Sequence, residues 1–460
     1  MNLRNIIFCL FATLAFQLPI VTHAEPFGPE QWLQYRMNSE KNAVFQEESK
    51  ALENQVYKTA DEIRATPVVV GNKLFVGNHN TGDLFAFDVK TGEKLWQTEA
   101  PNWVHSEMIF YKNKLYVGFG NRFFKENEIR GTGESGVLAL DASTGEVLWK
   151  YRTNGEVMPT PAIYNENLYI VSGDHHLYKL DSDTGTELHK EDLTSYVSMS
   201  SPAIAEDTLY VGAGKPKPYI LTAYDLSIDD IKWRTEFPDV FSGLDDVPPA
   251  VSNGVVITTG LTGDKEKPNH YIYALEQETG EVIWKQLLGT GTYVKNNKSG
   301  APMIYKDKIY VGSPITKTFY AFDLKTGEKL WKFEDEVMKA PPVAQDGIVY
   351  FSNTKGYVRA LDAQTGKLVG EKKLNGVLAP SGPIIVNDTL FVGSQDSNVY
   401  AVPLDDIVEE KESNKKTVEA ADKYESVNKE SDSSKWSYVF VGLLLCVLAI
   451  VLFLMFKKRR

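Results

Sequence analysis

The sequence is poor in cysteine, and the two cysteines it has, Cys9 and Cys446, lie near its ends. Disulfide stabilisation of the long segment between them is excluded, so that segment must be held together by packing. A c-type haem attachment motif, Cys-x-x-Cys-His, is excluded as well. Acidic residues outnumber basic ones, 61 to 49, and the resulting formal net charge of −12 argues against nonspecific nucleic-acid binding.

Long apolar runs occur only near the two ends. Residues 6–16 followed by Thr22-His23-Ala24 predict a signal peptide over residues 1–24, with an uncleaved signal anchor as the alternative. Residues 436–456 are long enough and apolar enough to form a transmembrane helix, and the basic tail 457–460 follows at once. No Leu-Pro-x-Thr-Gly wall-sorting motif precedes that run. We therefore expect a bacterial single-pass type I cell-membrane protein whose residues 25–404 lie outside the cytoplasm.

Residues 405–435 are polar and rich in Glu, Lys, Ser and Asn. This composition predicts a flexible stalk between the exported domain and the membrane, with a charged helix as the alternative.

Within residues 25–404 one motif is repeated. The stretch AFDVKTGEKLW at residues 86–96 returns as AFDLKTGEKLW at residues 321–331, and close relatives occupy residues 139–149 and 274–284. Degraded copies bring the total to about seven, at a spacing of roughly 40 to 50 residues, which is typical of propeller blades.

Each copy follows two shorter apolar strand patterns, so each unit has four strands, named A to D. The sequence therefore predicts an all-β, eight-bladed β-propeller. The last unit, around residues 379–402, lacks the Thr-Gly turn and a D strand. We expect an N-terminal strand around residues 43–47 to complete it.

The motif itself predicts a structural role. Its Asp accepts hydrogen bonds from turn amides, its Gly tolerates positive φ, and its Trp covers the seam between blades. The residues predicted to dock blades in this way are Asp88, Gly92, Trp96, Asp141, Gly145, Trp149, Gly280, Trp284, Asp323, Gly327 and Trp331.

The pattern Ala-x-Asp-x-x-Thr-Gly-x-x-x-Trp resembles the tryptophan-docking motif of quinoprotein-type, PQQ-like repeat propellers, over about residues 32–404. Residues 31–38 resemble the opening segment of that superfamily. The resemblance to its dehydrogenases implies PQQ, a Ca²⁺ ion held by Glu, Asn and Asp, and a vicinal disulfide. The exported part has no cysteine, and the Ca²⁺ constellation is not recognisable in it.

The chain is also similar to the non-enzymatic propeller subunit of the outer-membrane β-barrel assembly machinery, although that relative carries a lipid anchor. The resulting hypothesis is a membrane-tethered binding or assembly scaffold without a cofactor. A PQQ- and Ca-dependent dehydrogenase is the alternative. No catalytic residue is predicted.

Antiparallel connectivity places the B–C loops and the D–A connections on one face, opposite the Thr-Gly turns. Three B–C loops are long, at residues 121–136, 214–219 and 261–270, and they predict a surface for a protein or cell-envelope polymer. Neutral surface variation is the alternative. The D–A connections supply candidates for a polar binding funnel at the channel mouth, with solvated surface charges as the alternative: Arg64, His105, Glu107, Asp245, Asp246, Lys298 and Lys339.

The run Asp174-His175-His176 invites a metal interpretation. Neighbouring side chains in an extended segment point in opposite directions, so two adjacent histidines rarely share one ion. No metal site is predicted there.

Overall fold

A computed structural model describes residues 26–47 and 49–408. The chain divides into a compact unit ending at Leu404 and a second unit from Asp405 onwards, of which only the first four residues are described. The predicted signal peptide, transmembrane helix and basic tail lie outside the described residues, as does most of the predicted stalk. Within the described ranges, no helix is long and apolar enough to cross a bilayer.

The described chain folds into eight sheets, which confirms the predicted all-β, eight-bladed propeller of four-stranded blades. Two N-terminal strands come first, β1 (Val44–Phe45) and β2 (Gln55–Lys58). Blade 1 contains β3 (Val68–Val70), β4 (Lys73–Gly77), β5 (Asp83–Asp88) and β6 (Lys94–Glu99). Blade 2 contains β7 (Ile109–Tyr111), β8 (Lys114–Phe119), β9 (Gly136–Asp141) and β10 (Val147–Arg152). Blade 3 contains β11 (Ala162–Tyr164), β12 (Asn167–Val171), β13 (His176–Asp181) and β14 (Glu187–Asp192).

Blade 4 contains β15 (Ala203–Ala205), β16 (Thr208–Ala213), β17 (Tyr219–Asp225) and β18 (Asp230–Phe237). Blade 5 contains β19 (Val240–Ser242), β20 (Ala250–Ser252), β21 (Val255–Thr262), β22 (Asn269–Glu276) and β23 (Val282–Thr290), with β19 as an additional strand on β21. Blade 6 contains β24 (Met303–Tyr305), β25 (Lys308–Ser313), β26 (Thr318–Asp323) and β27 (Lys329–Glu334).

Blade 7 contains β28 (Val343–Gln345), β29 (Ile348–Ser352), β30 (Tyr357–Asp362) and β31 (Leu368–Lys373). Blade 8 contains β32 (Ile384–Val386), β33 (Thr389–Ser394) and β34 (Asn398–Pro403) together with β1 and β2. Short 3₁₀ helices cover Glu126–Glu128, Leu244–Asp246 and Leu404–Asp406.

Burial differs between the inner and outer strands of a blade. Strands B and C are buried along nearly their whole length, as in β8 and β9, because neighbouring blades cover both faces. The outer D strands, such as β10 and β27, alternate between exposed and half-buried positions. The core is therefore a ring of apolar layers between blades.

The closure of the ring differs from the sequence prediction. The segment around residues 43–47 does not supply strand D of the last blade: β1 pairs in parallel with strand A of that blade, β32, and the D position is filled by β2, antiparallel to β34. Strand β2 fills the D position because it leads directly into blade 1. Residues 26–47 instead contact the A strands. Closure by an N-terminal strand is correct, but the strand is Gln55–Lys58.

Residues 26–47, here called the N-terminal strap, run past the strand A of every blade. Hydrogen bonds join the strap to blades 1 to 8 in order, through residues Gly28, Trp32, Leu33, Gln34, Ser39, Glu40, Asn42 and Ala43 with their partners in the blades. One continuous segment thus contacts all eight blades. It closes the channel on the side of the A–B turns.

The repeated motif forms the same contacts at successive blade seams. The indole Nε1 of Trp96 in blade 1 donates to the carbonyl of Ala142 in blade 2 at 3.1 Å. The ring lies against Gly145, where an added Cβ would stand 2.6 Å from it. Asp141 accepts hydrogen bonds from the amides of Ser143 and Thr144 in the same turn. Equivalent Trp–Gly contacts recur at the seams involving Trp149, Trp233, Trp284 and Trp331.

A buried histidine links blades 5 and 6 and predicts a pH dependence. Hydrogen bonds of 2.7 and 2.8 Å join His270 to the hydroxyls of Ser299 and Ser313, and burial lowers its pKa to about 3. The folded state therefore binds fewer protons at this site than the unfolded state, whose pKa is near 6.5. Its contribution to stability is complete above pH 6.5 and is lost as the pH falls towards 3.

We expect acidification from pH 7.5 to 4.5 to cost about 2–3 kcal/mol at this site. Urea unfolding at several pH values measures it, with His270→Gln as the comparison. The variant should show a shallower acid loss. Identical pH slopes for the two proteins would contradict the assignment.

Candidate binding funnel at the channel mouth

The channel mouth lies on the face that carries the B–C loops and D–A connections. It contains two connected features, an outer chamber of about 100 Å³ and an inner chamber of about 40 Å³. Four of the residues singled out in the sequence, Arg64, His105, Asp246 and Lys339, line both chambers.

The other three singled-out residues have different positions. Lys298 lines the outer chamber and Glu107 the inner one. Asp245 does not line either chamber: its buried side chain packs against Gly214, and its carbonyl accepts the amides of residues 198–200. Topology thus brings six of the seven side chains to one mouth.

The sequence interpretation missed four basic side chains that line the outer chamber, His79, Arg122, Arg130 and Lys295. Arg122 and Arg130 belong to the long B–C loop of blade 2, and Lys295 shares a D–A connection with Lys298. The signal was present, because that loop had been singled out by length. Loop length alone did not predict that Arg122 and Arg130 line the outer chamber.

The mouth carries more positive than negative charge. Lys339 donates to Asp246 at 2.8 Å, and Arg130 forms a buried ion pair with Glu156. Arg64 Nε lies 3.5 Å from Glu62 without forming a hydrogen bond in the described structure. Lys339 and Arg130 are therefore paired through hydrogen bonds, whereas Arg64 has a carboxylate nearby without a hydrogen bond to it.

Two histidines in the mouth are neutral at physiological pH. His79 and His105 lie 5.0 Å apart, ring centre to ring centre. Burial, assisted by the positive charge of Arg64, lowers the pKa of His79 to about 4. Burial, with repulsion from His79 and Arg64, also lowers the pKa of His105. Neutral imidazoles can donate one hydrogen bond each without adding charge.

The N-terminal strap reaches the inner chamber through Tyr35 and through its hydrogen bonds to Glu107. Glu107 Oε1 accepts hydrogen bonds from the Trp32 indole at 2.6 Å and from the Arg36 amide at 2.9 Å. Its Oε2 is buried without a hydrogen-bond partner among the described residues. Burial raises the pKa of Glu107 to about 7, opposed by these donors and by the positive charge of Arg36 and Lys41.

Aromatic side chains border the mouth. Phe123 is 53% exposed and packs edge-on against Trp103, while Phe124 is 52% exposed and packs against Tyr196. The guanidinium of Arg122 lies 6.0 Å from the Trp103 ring centre. The blade 2 loop therefore presents apolar and cationic groups side by side at the rim.

The Asp174-His175-His176 run does not bring its histidines together. His176 Nδ1 is 2.7 Å from the Asp174 carbonyl, whereas His175 Nε2 is 3.5 Å from the carbonyl of Glu128. Across residues 26–47 and 49–408, no group of three His, Cys, Asp or Glu side chains is arranged to hold a metal ion.

The residues present do not fit the Ca²⁺ and PQQ that the resemblance to dehydrogenases implies. Asp246 at the mouth is already paired with Lys339 and lies in the field of Lys298 and Arg130, so a divalent cation there would face repulsion. The inner chamber of about 40 Å³ is far smaller than the roughly 300–1,000 Å³ typical of cofactor pockets.

A ring of eight blades built on four strands each, closed at one end by a strap and open at the other through a charged mouth, defines a β-propeller of the PQQ-like repeat class. The chain matches the family described as outer membrane protein assembly factor BamB over residues 39–124, 119–227 and 199–406, and it belongs to this family.

Similar curated proteins include a hydrolase and an assembly factor. Tetrathionate hydrolase from Acidithiobacillus ferrooxidans is 28% identical over 434 residues, covering 82% of this chain and 86% of that protein. Outer membrane protein assembly factor BamB from Shewanella oneidensis is 24% identical over 355 residues, covering 74% of this chain and 85% of that protein.

Solved structures share the fold. BamB from Moraxella catarrhalis aligns with a TM-score of 0.57 at 17% identity, over 75% of this chain and 98% of that one. A quinohemoprotein alcohol dehydrogenase from Comamonas testosteroni aligns with a TM-score of 0.61 at 14% identity, over 81% of this chain and 80% of that one. At these identities the likeness describes the propeller alone.

Proposed function

We propose that this chain is a non-enzymatic binding or assembly scaffold that engages a protein or cell-envelope polymer through its loop face. In this proposal residues 1–24 direct export, residues 405–435 are a flexible stalk, and residues 436–456 tether the propeller to the cell membrane as a single-pass type I protein. The name of the BamB relatives, assembly factor, supports the same mode of use.

The observation that carries the proposal is the exposed aromatic pair Phe123 and Phe124 at the rim. Large aromatic side chains left half in water on a rigid scaffold are typical of partner-binding surfaces. The basic residues Lys215 and Lys217 of the blade 4 B–C loop are exposed on the same face. A partner surface that is apolar and anionic would complement this rim.

In-cell photo-crosslinking tests the proposal. A photoreactive amino acid at position 217 should give a discrete adduct that the double change Phe123→Ser and Phe124→Ser removes, because the aromatic anchors are lost. The matched control places the same photoreactive group at position 330, where the exposed Leu330 lies on the outer strand of blade 6. Equal adducts from both positions, or an adduct that survives the double change, would count against the scaffold.

Hydrolysis of tetrathionate is a second candidate, favoured by the positively lined mouth above a buried carboxylate. Tetrathionate is a dianion, and clefts lined by one sign of charge concentrate ligands of the opposite sign. Release of thiosulfate from tetrathionate by the full chain, lost in Lys298→Met, would support this candidate. A chain that folds and releases none removes it.

A further inference from the structure

We propose that the outer chamber is a binding site for a tetrahedral oxyanion group of the sulfate or phosphate type, held by Arg64, Arg122 and Lys298. The inference rests on the proposed function in one respect: it uses the same loop face. It names the chemistry that this face recognises and the side chains that recognise it.

The lining of the outer chamber has an excess of positive charge. The cationic side chains that line it outnumber the carboxylates, since Asp246 is the sole acidic residue in its lining. The cations are Arg64, Arg122, Arg130, Lys295, Lys298 and Lys339. Such a concentration of positive charge is unusual in a chain of net charge −12. A local excess of this kind favours an anionic ligand.

The cations of the outer chamber differ in whether they have hydrogen-bonded carboxylate partners. Lys339 and Arg130 are neutralised by Asp246 and Glu156. Arg64 is different: Glu62 lies 3.5 Å away as an ion-pair partner, but the buried Nε of Arg64 makes no hydrogen bond within the described chain. A buried guanidinium nitrogen without an acceptor costs free energy that a bound oxyanion would recover.

The three proposed ligand-binding residues approach from different parts of the ring. Arg64 precedes blade 1, Arg122 lies in the B–C loop of blade 2, and Lys298 precedes blade 6. Arg122 donates to Asn296 Oδ1 at 3.2 Å, which ties the blade 2 loop to the connection that carries Lys298. Convergence from separate elements gives a pocket with fixed walls.

The size and polarity of the chamber set the ligand class. A volume of about 100 Å³ holds several water molecules or one small polyatomic anion. His79 and His105 stay neutral and supply hydrogen-bond donors without raising the charge further. A tetrahedral oxyanion matches donors that arrive from several directions.

Such a group has two sources, a free inorganic anion or a phosphate carried by a cell-envelope polymer. Titration calorimetry of the full chain with sodium sulfate, sodium phosphate and a glycerol-phosphate oligomer distinguishes them, with sodium chloride at matched ionic strength as the reference. Binding of sulfate or phosphate assigns the free anion. Binding of the oligomer alone assigns the polymer.

The variants Arg64→Met and Lys298→Met should each weaken the observed binding at least about tenfold. Lys265→Met removes the same charge from an exposed position of the blade 5 loop and should leave affinity unchanged. Arg122→Met, at an exposed position, serves as a further variant if the change at half-buried Arg64 or Lys298 prevents folding, which thermal unfolding reports.

No binding of any probe overturns the proposal, and so does an equal loss in Lys265→Met. The outcome separates from that of the scaffold. A position-217 adduct without anion binding leaves the scaffold and removes the anion site. Anion binding without an adduct at position 217 supports the anion site and removes the scaffold.

Discussion

Replacing Arg36 with methionine is expected to lower the free energy of unfolding by about 3–5 kcal/mol. Arg36 is fully buried in the N-terminal strap, and its guanidinium donates to the carbonyls of Lys41, Pro342 and Pro383. Methionine fills a similar volume but donates nothing, so three buried carbonyl groups lose a donor.

The effect should be large because the strap contacts all eight blades. Pro342 and Pro383 immediately precede strand A of blades 7 and 8, so one side chain of the strap binds two blades. The same change removes a positive charge beside the buried Glu107, whose negative form it stabilises. The loss is therefore both of hydrogen bonds and of charge compensation.

Urea unfolding of the full chain measures the change. Arg152→Met is the matched control: Arg152 is 69% exposed and its ion pair with Glu134 is at the surface, so at most about 1 kcal/mol is expected. Similar losses for the two variants would show that the strap does not stabilise the ring.

Replacing Trp96 with alanine is expected to destabilise the propeller by about 3–5 kcal/mol. The indole is only 8% exposed, donates to the Ala142 carbonyl and covers Gly145 of the next blade. Truncation removes a buried aromatic ring, opens a cavity at the seam and leaves a carbonyl unsatisfied. The equivalent changes at the half-buried Trp149, Trp284 and Trp331 should cost less.

The neighbouring Leu95 provides the control, since it lies on the same strand but is 42% exposed. Leu95→Ala should cost no more than about 0.5 kcal/mol. Thermal or urea unfolding compares the pair. A loss below about 1 kcal/mol for Trp96→Ala would mean that the motif does not stabilise the seam.

Much of the fold was accessible from the sequence because the repeat encodes it locally. An Asp, a Thr-Gly pair and a Trp at fixed offsets specify a turn and a seam contact, and their recurrence predicts the number of blades. The missing D strand of the last unit likewise predicted closure by an N-terminal strand. The predicted strand, around residues 43–47, was the wrong one. Sequence alone did not distinguish it from Gln55–Lys58, because both segments are short and both precede blade 1.

The sequence predicted the face on which the binding funnel lies, but only some of its residues. The connectivity rules assigned Arg64, Lys298 and Lys339 to one face, and the structure places them at one mouth. The sequence did not show that Asp246 lines the chambers while its neighbour Asp245 does not. The two residues are adjacent in a 3₁₀ helix, so their side chains leave the helix in different directions.

By itself, the sequence determined the architecture, the seams and the face on which unusual loops gather, because each of these depends on short-range patterns repeated along the chain. Only the tertiary structure decided how the strap closes the channel and how Arg122 and Arg130 reach the mouth. Those contacts join residues far apart in the chain, such as Arg36 and Pro383 or Arg122 and Asn296, and no local pattern encodes them.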